Sequence, residues 1–165
     1  MNPSLGRRTI SPHSKMPKTR KSPKRYFSGL SSTKKAQRRG EIAKFGSKFW
    51  KNATAYVGFK TDRGVKTKRS KYTAKFKAQF PKAKSLEEKA KATGVPLRYI
   101  RECYNRGMAA WRTGHRPGAT EQQWGYARVH SFLTCGKTYH TTDADIAKKA
   151  KSASEGARKW WASKC

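Results

Sequence analysis

The apolar residues fall into helix-period stripes in the second half of the chain and into short, lysine-broken clusters in the first. Leu97, Ile100, Tyr104, Met108 and Trp111 recur at spacings of three and four. That periodicity predicts one buried helix face, which tolerates Gly107 within it. A shorter helix precedes it. Ser85-Leu86-Glu87-Glu88 forms a capping box, the helix LEEKAKAT stops at Gly94, and Pro96 lets the next helix begin at once. A second capping box, Thr120-Glu121-Gln122-Gln123, opens a helix that carries Trp124, Ala127, Val129, Phe132 and Leu133 as far as Gly136. Gly125 and Ala127 are small enough for another helix to approach closely, and the helix bearing Trp111 is the candidate. Between the two, Thr113 to Ala119 breaks the chain through its glycines and Pro117. The last helix is expected to start near Thr142-Asp143-Ala144-Asp145. Its narrow stripe of Ile146, Ala150, Ala153, Ala157 and Trp160 or Trp161 needs a neighbour to dock on.

Upstream the pattern is thinner. Thr33 to Lys44 favours a short basic helix, interrupted or capped by Gly40 and ended by Gly46. Phe45, Phe49 and Trp50 make an aromatic cluster suited to anchoring a core or stacking on bases. Ala55 to Lys60 and Val65 to Lys68 flank Thr61-Asp62-Arg63-Gly64, which predicts a short β-hairpin. Tyr72, Phe76 and Phe80 then give a one-sided helical stripe that Pro81 terminates. The fold class read from these elements is mainly α. It is a small helical domain with an αα-hairpin or helix-turn-helix-like unit, two further helices, a short hairpin and an extended basic amino-terminal arm. Its regions are a Pro/Ser-rich arm over 1–25, a basic aromatic region over 26–84, and a helical domain with a docking carboxy-terminal helix over 85–165.

Charge changes the picture from a plain helical domain to one that needs an anionic partner. Forty Lys and Arg face nine Asp and Glu in 165 residues, a formal net charge of +31. Such an excess opposes compaction until an anion neutralises it. Nucleic acid, an anionic membrane surface and acidic protein surfaces are the partner classes, in that order. The arm carries Lys18, Arg20, Lys21, Lys24 and Arg25, and no acid occurs before Glu41. It cannot bury enough apolar surface to offset its ordering entropy, so it is expected to be disordered when free and to touch phosphates. Ser22-Pro23-Lys24-Arg25 has the form of basic elements that suit the narrow groove of DNA, and equally of a nuclear import signal. Cys103, Cys135 and Cys165 are odd in number and unevenly spaced. This argues for a reducing compartment and against a disulfide framework. Neither a secretory leader nor an apolar run of membrane-spanning length is present in the sequence.

Two site readings follow. Ala90, Gly94 and Ile100 stand at the small-residue, turn-glycine and buried-aliphatic positions of a helix-turn-helix. Arg98, Arg101, Asn105 and Arg106 would then project from the second helix toward phosphates or base edges. An ordinary αα-hairpin with a basic outer face fits the same residues. Arg106, Arg112, Arg116 and Arg128, with His115, could also surround an anion, and Arg116 and Arg128 equally suit holding loops through backbone carbonyls. His115 or His130 could serve as acid or base. Even so, the acids are not paired to hold Mg²⁺ and no nucleophile motif accompanies them. Cys103, Cys135, His130 and His140 lack the spacing of a zinc site. The expectation is a protein without catalytic residues, metal, cofactor or small-molecule substrate.

Asn105-Arg106-Gly107-Met108-Ala109-Ala110-Trp111, Gly114-His115-Arg116-Pro117-Gly118 and Gln123-Trp124-Gly125-Tyr126-Ala127-Arg128 resemble an uncharacterised domain family of large double-stranded DNA viruses of algae and amoebae and of some marine phages. The resemblance covers roughly Ser85 to Ile146 and extends loosely upstream through Lys24-Arg25-Tyr26. It implies a viral setting, a virion location and no reaction. The expected role is therefore a structural virion protein, a minor capsid component that links larger capsid subunits through its arm and helices after assembly inside the host. The alternative is a basic DNA-binding protein that condenses or packages the genome, with the helix-turn-helix-like unit as one means of doing so.

Overall fold

The computed structural model describes residues 21–45 and 58–165. Among the described residues there are eight α-helices, two short 3-10 turns and no strand. In chain order the helices are α1 (Ser32–Phe45), α2 (Lys71–Gln79), α3 (Leu86–Thr93), α4 (Leu97–Thr113), α5 (Glu121–Leu133), α6 (Lys137–His140), α7 (Ala144–Ala153) and α8 (Glu155–Lys164). The 3-10 turns cover Lys24–Phe27 and Lys60–Asp62. Most of the arm, with Lys18 and Arg20, lies outside the described residues. So do Phe49, Trp50 and the Ala55–Val57 part of the expected hairpin.

Both predicted capping boxes form. Ser85 Oγ accepts from Glu88 N at 3.1 Å while the Glu88 carboxylate accepts from Ser85 N at 2.8 Å. Thr120 and Gln123 repeat the exchange at 3.1 and 3.0 Å. These bonds satisfy amides that a helix start leaves open, and so fix where α3 and α5 begin. Gly94 closes α3 in the left-handed region at φ 77°, which lets α4 start three residues later. α1 passes through Gly40 without interruption and continues to Phe45.

α5 is the centre of the molecule, with α2, α4 and α6 against it. Its crossing with α4 is closest at two glycines: a Cβ on Gly107 would lie 2.8 Å from Gly125 Cα. Backbone meets backbone there, as the small residues of α5 suggested. Phe76 of α2, Ile100 and Cys103 of α4, Val129, Phe132 and Leu133 of α5, and Ile146 and Ala150 of α7 are fully buried and form one core. The predicted terminal helix is two helices. Ser154 leaves the helical region at φ −143°, and its hydroxyl caps α8 through Ala157 N at 3.2 Å. α8 then turns both tryptophans inward, where Trp160 Nε1 donates to Leu133 O at 2.8 Å and Trp161 Nε1 to Phe132 O at 3.2 Å.

Two expectations are corrected. No hairpin forms over the described part of its span, because Asp62 is drawn inward instead of capping an exposed turn. Its carboxylate gathers Arg38, His115 and Gly118 N, and the backbone after it lies along Gly118, where an added Cβ would strike the Val65 carbonyl. The cysteines are not all free either: Cys135 is disulfide-bonded to Cys165 across 30 residues, and Cys103 alone remains a buried thiol. The two tryptophan anchors carry the end of α8 to the loop after α5, which brings those two Cα atoms to 5.8 Å, a spacing that a bridge requires.

Candidate nucleic-acid interface

Every one of the nine carboxylates is engaged inside this fold, and that decides which cations are left for a partner. Arg128 grips the fully buried Asp143 with two bonds of 2.8 and 2.7 Å. Arg106 grips Asp145 with bonds of 2.8 and 2.7 Å and also reaches Glu102 at 2.9 Å. The Arg106 hydrogen bonds and charge, against a small opposing effect of burial, hold the Asp145 carboxyl at about 2. Cys103 donates to Asp143 at 3.4 Å, and burial together with that carboxylate pushes its thiol well up. Arg112 pairs with Glu121 at 2.8 Å and Arg101 with Glu87 at 2.7 Å. Lys159 pairs with Glu155 at 2.9 Å, and Glu88 is the α3 capping residue.

Asp62 ties the amino-terminal elements to the Gly-His-Arg-Pro-Gly loop. Arg38 of α1 is fully buried and donates to Asp62 Oδ1 at 2.7 Å, to Thr61 Oγ1 at 2.9 Å and to the His115 carbonyl at 2.5 Å. His115, also fully buried, places Nε2 at 2.6 Å from Asp62 Oδ2 and Nδ1 at 2.8 Å from the Trp111 carbonyl. Both ring nitrogens thus lie within hydrogen-bond distance of oxygens. Burial alone would raise the Asp62 pKa, but the His115 hydrogen bond and the His115 and Arg38 charges outweigh it and lower it. The His115 ring lies between Phe59 and Trp111, with centroids at 5.1 and 4.2 Å. Glu41 completes the cluster through Thr61 Oγ1 at 2.6 Å and Lys60 N at 2.8 Å. Sequence reasoning passed over Arg38 and Asp62. The available signal was that Asp62 is the one acid between Glu41 and Glu87.

The predicted site residues therefore separate. Arg101, Arg106, Arg112 and Arg128 are occupied by carboxylates of this same chain. Arg98 is exposed and donates to the Tyr99 hydroxyl at 2.8 Å, with its guanidinium 4.7 Å from that ring's centroid. Asn105 is exposed, and Arg116 is half-buried with its Nε enclosed and unpartnered. Arg98, Arg101, Asn105 and Arg106 line one shallow groove along α4, and Arg112, Arg116 and Arg128 are not part of its lining. Lys21, Lys24 and Arg25 are exposed where the arm joins the domain, and the Arg25 guanidinium sits 5.5 Å from the Tyr26 ring and 5.9 Å from that of Trp124.

A basic face lies elsewhere, on a stretch that motif reading did not select. Arg63, Lys66, Lys68, Arg69, Lys71, Lys75, Lys77, Lys82 and Lys84 follow one another with no acid among them, and all nine are exposed. α2 is the spine of this face. It is held by Phe76, which is fully buried, by Thr73 Oγ1 at 2.9 Å from His130 Nδ1, and by Lys137 N donating to the Tyr72 hydroxyl at 3.2 Å. Tertiary packing adds two more exposed cations: Lys137 next to Tyr72, and Lys164, whose Nζ donates to Gln79 at 3.2 Å. Beneath it, Lys89 is buried with Nζ on the carbonyls of Ala83 and Lys84, both at 2.7 Å. Burial, opposed by Glu88 and reinforced by Lys77, brings its pKa down to about 8. Burial and the charges of Lys89 and Lys77 hold His130 at about 3, so this ring is neutral.

Of the four residues that a zinc site would need, Cys135 Sγ and His140 Nε2 lie 3.4 Å apart, but Cys135 is held in the disulfide, Cys103 is on Asp143 and His130 on Thr73. Among the described residues no group of three His, Cys, Asp or Glu is placed to hold a metal ion, and no helix is long and apolar enough to cross a membrane.

Fold and charge together define a small, mainly helical, basic module whose acids are engaged within the chain and which carries an acid-free run of exposed cations around α2. The chain belongs to a family of unknown function (DUF5824), which matches residues 23–150. That match starts just before the first 3-10 turn, so it takes in α1, α2 and the basic face as well as the motif-bearing helices. No curated protein and no solved structure matches the chain.

Proposed function

We propose that this protein is a non-enzymatic nucleic-acid-binding protein that neutralises backbone phosphates with the cations of residues 63–84, assisted by the amino-terminal arm. One observation carries the reading: all nine acids are committed within the fold while nine successive cations around α2 are exposed and lack a carboxylate partner. Release of condensed counterions by such a surface is the main source of sequence-independent affinity for nucleic acid. A binding role also fits the two histidines with acid-base potential, since both rings are buried and held by neighbours. The expected result is retention on DNA whose log affinity falls linearly with log salt, with a slope reduced by about 3 in the Lys71→Gln/Lys75→Gln/Lys77→Gln variant. Absence of retention at moderate salt sinks the proposal.

The resemblance of the Asn-Arg-Gly, Gly-His-Arg-Pro-Gly and Gln-Trp-Gly segments supports a viral setting, in which the proposed partner is a DNA genome packed in a virion. A second reading, a minor capsid component that links larger subunits, is favoured by a shallow groove of about 610 Å³ along α4. Leu97 and Ala109 supply apolar surface there beside Asn105 and Arg98, which lacks a carboxylate partner among the described residues, and Arg101 and Arg106 already have acid partners, so the groove offers a protein a mixed apolar and basic surface. Localisation within purified particles separates the two. Genome binding places the protein in the nucleoprotein core, and the capsid reading requires stoichiometric, symmetry-ordered density in the shell.

A further inference from the structure

The exposed side of α2 has a composition that distinguishes among nucleic acids. Lys71, Ala74, Lys75 and Ala78 are spaced i, i+3, i+4 and i+7 and all four are exposed, so they form one outward stripe. Lys77 flanks the two alanines on the other side. A cationic helix whose outward centre is bare methyl groups lets its backbone come close to whatever it meets, while the lysines beside it reach past.

The aromatics of α2 point the other way. Phe76 is fully buried, and Tyr72 and Phe80 are half-buried, Phe80 with its ring centroid 5.7 Å from that of Trp160. Single-strand binding depends on exposed aromatic rings for unstacked bases, and the outward stripe has none. With its side chains an α-helix is about 10–12 Å across, which the ~12 Å wide major groove of B-DNA admits, and alanines at the outward centre of α2 keep that face slim. The major groove of A-form RNA is too narrow and deep to take it. The helix is also held rigidly for the task by Phe76 and by the Thr73 and Tyr72 contacts.

Resting on the nucleic-acid reading above, we propose that α2 enters the major groove of double-stranded B-form DNA, with Ala74 and Ala78 against the groove floor and Lys71, Lys75 and Lys77 on the flanking phosphates. This assigns groove entry to α2 and not to α4, where Arg101 and Arg106 are paired with acids.

The test uses the full-length chain with a 20-base-pair (about two turns) DNA duplex, one of its strands alone, and the RNA duplex of the same sequence, followed by fluorescence anisotropy at fixed salt. The expected result is duplex DNA bound about tenfold or more tighter than either alternative. Ala74→Leu and Ala78→Leu keep the charge and lie on the surface, so they should leave thermal unfolding unchanged while weakening duplex binding about tenfold. Dimethyl sulfate should methylate guanine N7, a major-groove atom, less in the complex than in free DNA. Equal or tighter binding of the single strand or the RNA duplex overturns the inference, as do leucine variants that bind like the wild type or unprotected N7. If none of the three probes binds, the broader nucleic-acid reading falls with it.

Discussion

Asp62 holds the Gly-His-Arg-Pro-Gly loop to α1 through two fully buried partners, the Arg38 guanidinium and the His115 ring. Removing the carboxylate leaves the buried Arg38 charge uncompensated and His115 Nε2 without its hydrogen-bond partner, which costs more than the net worth of the pair. Asp62→Ala is expected to lower stability by about 3–5 kcal/mol in urea denaturation, and Glu155→Ala, an exposed pair, by less than about 0.5 kcal/mol. Similar losses in the two variants would contradict this role. Gly107 gives a second case: a methyl there would meet Gly125 Cα at 2.8 Å, so Gly107→Ala must push α4 and α5 apart. A destabilisation of about 1–3 kcal/mol is expected, against a gain of about 0.5–1 kcal/mol for Gly40→Ala, at an exposed position inside α1 with nothing within 4 Å. His130 gives the pH dependence. Its folded pKa of about 3 lies below the ordinary 6.5, so between those values the unfolded chain binds a proton that the fold refuses. Its contribution is complete above pH 6.5 and is lost as pH falls toward 3, on the order of 5 kcal/mol in all. Thermal unfolding of His130→Gln between pH 7 and 4 should depend on pH less steeply than that of the wild type, and parallel profiles would count against it.

Among the elements, α8 depends most on the rest of the chain. Its own sequence is lysine-rich and short, and it is fixed by two indole hydrogen bonds to α5 and by the Cys135–Cys165 bridge. Closing 30 residues restricts the unfolded chain by about 3–4 kcal/mol in the loop-entropy account. Reductant should therefore lower the thermal midpoint of the wild type and leave that of Cys135→Ser/Cys165→Ser unchanged, as followed by circular dichroism. The helix starts were legible in sequence because caps are local: Ser85, Thr120 and the glutamate or glutamine three residues later need no distant partner. The hairpin reading failed for the opposite reason. Turn residues at Thr61 to Gly64 describe a local bend, whereas Asp62 is controlled by Arg38 and by a histidine 53 positions away.

At the scale of the whole molecule, the excess of cations was plain from composition, but its location was not. The motif residues include Arg101, Arg106, Arg112 and Arg128, which tertiary contacts pair with acids, while Arg98 and the plain lysines around α2 have no carboxylate partner among the described residues. Salt-dependent binding should follow the same division. Arg101→Gln should change the affinity for duplex DNA less than Lys71→Gln does, because Arg101 is shared with Glu87 and Lys71 has no carboxylate to leave. Equal losses would place α4 in the interface as well. The sequence by itself determined the helical class, the caps and the net charge, since each depends on neighbours within a few residues or on a sum over the chain; the α4 stripe it predicted is only partly buried, because packing turns Tyr99, Ile100, Cys103 and Gly107 inward and leaves Leu97 in the surface groove. Only the tertiary structure decided which cations stay unpaired, where Asp62 is bound, and that two cysteines meet. Those are matters of distance between residues far apart in sequence, and packing around α5 sets them.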